Sequence, residues 1–253
     1  MAQPTTTSSG LALGTRPAGT PQTPLLTGTL RLYAIGDSLT VGGTDEVGGN
    51  TGRAWRQYVG EMLATSGIAY TAVGNLSSLA TTWPNHRAIT GQTINTFVTV
   101  DFANPATHLN AADPDIILGC TLGYNDINGG ASGATTLTRW TSLMELFRAF
   151  TNGRGVTPRI VASHLFRGAV GNDTEIGNFN NGLAAAVAVQ VALGQKITLI
   201  DPRPWLDGIG GAPPFRGDGN HPKDVGYRLE ADCVFAGLMN CIGKNAEWGR
   251  PTS

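Results

Sequence analysis

From Leu30 onward, short apolar runs alternate with longer stretches whose apolar positions recur at helical spacing. Leu30–Gly36 (LRLYAIG) reads as a first strand. Through 52–66, Trp55, Tyr58, Val59, Met62 and Leu63 recur every three or four residues, the period of a helix with one buried face. Residues 69–74 (AYTAVG) read as a second strand, followed by a long loop and a short helix around 91–98. Residues 115–120 (DIILGC) are apolar at successive positions, as a parallel strand covered on both faces should be. Leu137, Trp140, Leu143, Met144, Phe147 and Phe150 mark the next helix, and 159–166 (RIVASHLF) a fourth strand. Ile176, Phe179, Leu183, Val187 and Val191 mark another helix, 197–201 (ITLID) a fifth strand, and 225–238 a closing helix. Strand and helix alternating five times predict an α/β fold: a three-layer α/β/α sandwich around a central five-stranded parallel sheet. Ligands bind such sheets at the carboxyl ends of the strands, so the loops after strands one, two, three and five should carry the chemistry.

The first 28 residues differ in kind. They are rich in Thr, Pro, Gly and Ser, carry Arg16 as their one charge, and have no sustained period, which predicts a flexible arm. Leu11-Ala12-Leu13 is too short for the apolar region of an export signal. The expected organisation is this arm over 1–28, one domain over 29–245, and a tail over 246–253. Lys+Arg total 17 against 18 Asp+Glu, a balance that lacks the basic excess of a nucleic-acid binder. No run of roughly 18 apolar residues predicts a membrane span. Charged residues make only 14% of the chain and glycines number 35, so Thr, Asn and Gly supply much of its polar surface. Cys120 falls in the third strand. Cys233 and Cys241 lie too far apart on a continuous helix to bridge, and only a break after Leu238 would let them pair. Three reduced, buried thiols are the expected state.

The predicted strand ends carry polar residues of specific types. Past strand one stands Gly36-Asp37-Ser38-Leu39, where a glycine-assisted turn into a helix would hold a serine hydroxyl above the sheet; an ordinary capping serine is the alternative. Past strand five comes Asp218-Gly219-Asn220-His221-Pro222. Asp218 can fold back to orient His221 as a general base, with Pro222 suited to a helix start. An ordinary turn leading into a helix start is the alternative; a metal site of Asp218, His221 and Asp224 is a weaker reading, since no other His or Cys shows ligand spacing. Past strand three, Asn125 in Gly123-Tyr124-Asn125-Asp126 can donate to a developing oxyanion. Gly91, in the segment between strands two and three, offers an unshielded backbone N–H for the same purpose.

These four segments resemble the four blocks of the SGNH (GDSL) hydrolases: GDSL at 36–39, the second-block glycine at Gly91, GxND at 123–126 and DxxHP at 218–222. The similarity runs from about Leu30 to Leu238 and implies the flavodoxin-like SGNH fold. The chain looks most like the family 3 carbohydrate esterases that deacetylate xylan, through 85–94 (NHRAITGQTI), 175–183 (EIGNFNNGL) and 218–227 (DGNHPKDVGY). Ala88 and Ile89 depart from it, standing where smaller or more polar residues are expected. The resemblance implies Ser38 as nucleophile, His221 as base, Asp218 as its partner, and an oxyanion hole of the Ser38 and Gly91 N–H groups with the Asn125 side chain. It implies an acylated small molecule or polysaccharide as substrate, and no metal or organic cofactor. A lipase, lysophospholipase or thioesterase, an acyltransferase, and a non-catalytic carbohydrate-binding module are the competing functions on this scaffold. Four further residues are candidates for substrate contact: Asp37, which also reads as a structural hydrogen-bond partner; His86, in the second-block loop; His164, at the end of strand four; and Trp83, as a sugar-stacking ring. Asp126 reads as scaffold, Trp140 as core, His108 as surface, and Asn180 as packing under the site or as core.

Overall fold

The computed structural model describes residues 28–42, 54–78, 82–167, 172–207 and 221–243. In chain order the elements are β1 (Leu30–Gly36), α1 (Ser38–Val41), α2 (Trp55–Thr65), β2 (Tyr70–Val73), β3 (Leu76–Ser77), β4 (Asn85–Ala88) and α3 (Ile94–Thr96). A wide turn over Phe97–Asp101 continues α3. There follow α4 (Pro105–Ala112), β5 (Ile116–Gly119), α5 (Tyr124–Asn128), α6 (Gly133–Ala149), β6 (Arg159–Ser163), α7 (Asp173–Ala192), β7 (Ile197–Ile200), α8 (Arg203–Leu206) and α9 (Asp224–Cys241). The expected arm and tail lie outside the described residues.

The sheet runs β3-β4-β1-β5-β6-β7, with β2 also paired to β1. Every pairing is parallel except β3 with β4. Along one side of β1, Leu30–Tyr33 pair with β2, and Ile35 and Gly36 pair with Arg87 and Ala88 of β4. The five predicted strands are therefore present, and two short ones lie in the stretch expected to be a loop. Their ladders cover two residue pairs each with polar side chains, too short to leave a period in the sequence.

Alternation along the strands makes the three layers. Tyr33, Ile35, Ile117, Ile160 and Ala162 pack with α6 and α7 through Leu143, Phe147, Phe179 and Leu183. Leu32, Ala34, Ile116, Leu118 and Val161 pack on the other side with α2 and α9 through Trp55, Val59, Val234 and Leu238. Burial of each such side chain stabilises the fold by roughly 1.5–3 kcal/mol. Because α9 runs unbroken through Leu238 to Cys241, Cys233 and Cys241 stay apart, and all three cysteines are free and buried. None of the described helices is long and apolar enough to cross a membrane.

Candidate active site

β1 stops at Gly36 for a steric reason. A Cβ there would sit 2.3 Å from Thr40 Oγ1 and 3.3 Å from the Cys120 carbonyl, so only glycine lets the chain turn so tightly onto α1. Asp37 then caps that turn: its Oδ1 accepts from Leu39 N at 2.9 Å and its backbone oxygen from Thr40 N and Val41 N. Ser38 is thereby the first helical residue beyond a buried strand, half-buried at the carboxyl edge.

The second block is bound to the same strand end. Ile89 N donates to the Gly36 carbonyl at 3.1 Å, and Gln92 N closes a turn onto the Ile89 carbonyl at 3.0 Å. Gly91 lies in this turn with φ +77°, exposed, with open space where a Cβ would be. Asp101 clasps the turn from behind, taking Arg87 Nη2 and Gln92 Nε2 at 2.5 Å each. The predicted helix at 91–98 begins instead at Ile94, after a Thr93 cap whose Oγ1 accepts from Thr96 N.

The third block ties the other two together. Asn125 Nδ2 donates to Asp37 Oδ2 at 3.1 Å and to the Gln92 carbonyl at 3.0 Å. Blocks one, two and three thus converge on one side-chain amide. Both of its hydrogens are directed at protein acceptors, so serving an oxyanion requires that one be shared or exchanged when substrate arrives. Asp126 is the expected scaffold residue. Its carboxylate takes Ile94 N at 2.7 Å, Asn95 N at 3.4 Å and Arg139 Nη1 at 2.8 Å, locking α3 and α6 to α5.

His221 is half-buried just ahead of α9, and Asp218 lies outside the described residues. The first turn of α9 is anchored to α2: Asp224 accepts from the Tyr58 hydroxyl and from Arg228 Nε at 3.0 Å, while Arg228 stacks 4.7 Å over the Tyr58 ring. Both Asp224 carboxylate oxygens thus serve this anchor.

The electrostatics beneath Ser38 are unusual. Burial pushes Asp37 up to about 7 against the pull of its Leu39 and Thr121 hydrogen bonds, and the charge of Asp126 adds to the rise. Glu230 on α9 is buried with Oε2 unpartnered, and burial followed by the charge of Asp37 raises it well above the usual carboxylate range. Arg56, whose guanidinium reaches α1, is fully buried yet bonds no carboxylate among the described residues. Its guanidinium donates to the carbonyls of Thr40, Trp83 and Val41 and to Ser78 Oγ, and burial lowers it to about 10. Sequence reading passed over Glu230 and Arg56. Each interrupts an apolar stripe, Tyr227-Ala231-Val234 and Trp55-Val59-Leu63, and a charge on such a stripe was the available signal.

The substrate-contact candidates divide. Trp83 is 0% exposed, with its ring against Trp55 and Tyr70 in the α2 layer. A ring with no free face cannot stack on a sugar, so Trp83 is a core residue. His86 is also buried; its Nδ1 accepts from Ala88 N at 3.0 Å, and burial with the neighbouring Arg56 and Arg87 charges pushes it down to about 3. It is a neutral loop brace. His164 is buried at the end of β6, lowered by burial and by Arg203. Asn180 grips Leu165 by both backbone groups, at 2.9 and 2.6 Å, and so supports the β6 exit. Trp140 is core, as expected, while His108 is half-buried with its edge toward Phe102.

Residues 34–229 match the model of the GDSL-like lipase/acylhydrolase family, and the chain belongs to that family. Its fold is that of the SGNH hydrolases. Among solved structures, a carbohydrate esterase family 3 protein from Talaromyces cellulolyticus is similar at TM-score 0.70 and 19% identity, covering 85% of this chain and 98% of that one. An acetyl esterase serine-to-alanine mutant with acetate ion is similar at 0.68 and 19%, with the same coverage. The family 3 carbohydrate esterase of Clostridium thermocellum is similar at 0.63 and 16%, again covering 85% and 98%. No curated protein sequence matches the chain.

Proposed function

We propose that this acylhydrolase is a serine esterase that removes small acyl groups, acetyl foremost, from a carbohydrate. The observation that carries the reading is the Asn125 amide joined both to Asp37, which caps the Ser38 turn, and to the residue following Gly91. In this reading Ser38 Oγ attacks the ester carbonyl and passes its proton to His221, which Asp218 orients. The tetrahedral oxygen is held by the Ser38 and Gly91 N–H groups and by Asn125. Collapse breaks the C–O bond and His221 returns the proton to the leaving alcohol. Water, deprotonated by His221, then releases the acid and frees Ser38. Similarity to family 3 carbohydrate esterases and to an acetate-bound acetyl esterase supports the acyl size and the substrate class.

Hydrolysis of p-nitrophenyl esters from acetate to dodecanoate, with Ser38→Ala alongside, tests the reading. Activity should peak at acetate and disappear in the variant. A peak at long chains would assign the enzyme to lipids or thioesters, and activity surviving Ser38→Ala would overturn the mechanism.

A further inference from the structure

The wide turn that follows α3 carries a buried carboxylate to the back of the second block. Phe97 and Phe102 are both 0% exposed and stack at 5.6 Å, and Phe102 N closes the turn onto the Phe97 carbonyl at 2.8 Å. That closure reaches back one residue further than an α-helical bond does. Such wide turns are rare and recur at functional sites. Asp101, between the two anchored rings' positions in the chain, is 6% exposed.

Asp101 divides its two oxygens. Oδ1 takes Arg87 Nη2 and Oδ2 takes Gln92 Nε2, each at 2.5 Å. A carboxylate facing an arginine gains most when both oxygens meet one guanidinium. Here that arrangement is given up, and Arg87 Nε is left buried without a partner among the described residues. An orphaned buried donor is destabilising, and a buried ion pair is in any case a weak source of stability. What the arrangement secures instead is the tie to Gln92.

Gln92 is where the second and third blocks meet. Its N–H donates to the Ile89 carbonyl at 3.0 Å, and Ile89 N is itself bonded to the Gly36 carbonyl at the exit of β1. Its own carbonyl accepts from Asn125 Nδ2 at 3.0 Å. Gly91, the residue before it, has φ +77° and no side chain by which to be held, so its orientation follows that of Gln92. The Gly91 N–H and the Asn125 amide are thus both attached to Gln92, one through the chain and one through a hydrogen bond. To stabilise an oxyanion, each donor must come within about 2.7–3.1 Å of the same oxygen.

We propose that Asp101 is a positioning residue of the oxyanion hole: by holding the Gln92 side chain it fixes the turn through which the Gly91 N–H and the Asn125 amide are aimed at one oxygen. It deepens the esterase reading, on which it rests for the oxyanion, and adds to that site a buried carboxylate that acts only through Gln92.

The test uses the full chain carrying Gln92→Ala, which cuts the tie and leaves the Arg87–Asp101 pair in place, Asp101→Ala, and both together. With p-nitrophenyl acetate each single variant should lower kcat about 10- to 100-fold with KM within about twofold, as for donors misplaced by about 1 Å. Adding Gln92→Ala to Asp101→Ala should slow the enzyme no further, because both break one link. Unchanged kcat in Gln92→Ala, a loss that falls on KM alone, or losses that multiply in the double variant would overturn the proposal. An unchanged thermal midpoint in Gln92→Ala excludes misfolding as the cause of lost turnover. Hydrogen exchange at the Gln92 N–H needs no turnover: it should quicken in Gln92→Ala and in Asp101→Ala, and exchange as slow as in the unmutated protein would overturn the hold of Asp101 on the turn. Failure of the esterase reading shows separately, as absence of p-nitrophenyl acetate hydrolysis in the unmutated protein, and the exchange measurement still decides whether Asp101 holds the turn.

Discussion

Replacing Asp37 by Asn probes the stability of the turn that presents Ser38. The Asp37 side chain is 3% exposed and accepts Leu39 N–H, the Thr121 hydroxyl and the Asn125 amide. Burial nevertheless outweighs these donors and lifts the acid from 3.8 to about 7. Between those values the folded chain holds a proton that the unfolded chain has released, so stability falls as pH rises. The contribution is complete below about pH 4 and gone above about pH 7. The stretch from pH 5 to pH 7 spans two pH units at ~1.4 kcal/mol each, so this group removes about 3 kcal/mol between pH 5 and pH 8. Asp37→Asn abolishes that titration and keeps an oxygen for Leu39 N–H, but sets its new NH2 against the Asn125 amide, donor facing donor. Urea unfolding at pH 5, 6, 7 and 8 should find the variant clearly the weaker at pH 5, with the gap closing by about 3 kcal/mol at pH 8. Glu230 titrates in both proteins and so largely drops out of the difference. Stability profiles that run parallel for the two proteins would refute the reasoning.

Two other substitutions reach the site through its supports. Asp126→Ala strips Ile94 N–H and Arg139 of their buried acceptor and should cost about 3–5 kcal/mol in chemical denaturation, with esterase turnover falling as the Gly91 turn loosens; a loss under about 1 kcal/mol would show that α3 is held by packing alone. Arg56→Met keeps the apolar stem but orphans three carbonyls on α1 and the Trp83 loop, and should destabilise by about 3 kcal/mol or more. A midpoint within error of the parent would mean that water replaces the guanidinium.

How far the sequence reached can be judged element by element. β1 was legible as a short apolar run covered on both faces, and α6 and α7 because their apolar residues repeat at intervals of three or four, the spacing that burial on one face selects. The Ser38 turn was legible from Gly36-Asp37-Ser38, where a small residue, a cap and a hydroxyl stand in order. Asp126 was placed as scaffold for a similar reason. β3 and β4 were not legible, because two-residue ladders depend on a partner strand and not on a period. Trp83 was misjudged because a tryptophan between Thr82 and Pro84 in a polar segment carries no mark of the Trp55 and Tyr70 rings that enclose it. His86 failed likewise, its neutrality coming first from burial and then from Arg56, thirty residues away in the chain.

The sequence by itself determined the alternation of strands and helices, the edge of the sheet at which chemistry should lie, and the residue types placed there. These follow from local spacing and turn geometry, which act between residues a few positions apart. Tertiary structure alone decided which groups act on one another: Asp37 with Asn125, 88 residues apart, Arg56 with the Trp83 loop, and Glu230 within reach of the Asp37 charge. Hydrogen bonds and desolvation act over a few ångströms in space, whatever the distance along the chain, so their consequences for charge and exposure appear only once the chain has closed upon itself.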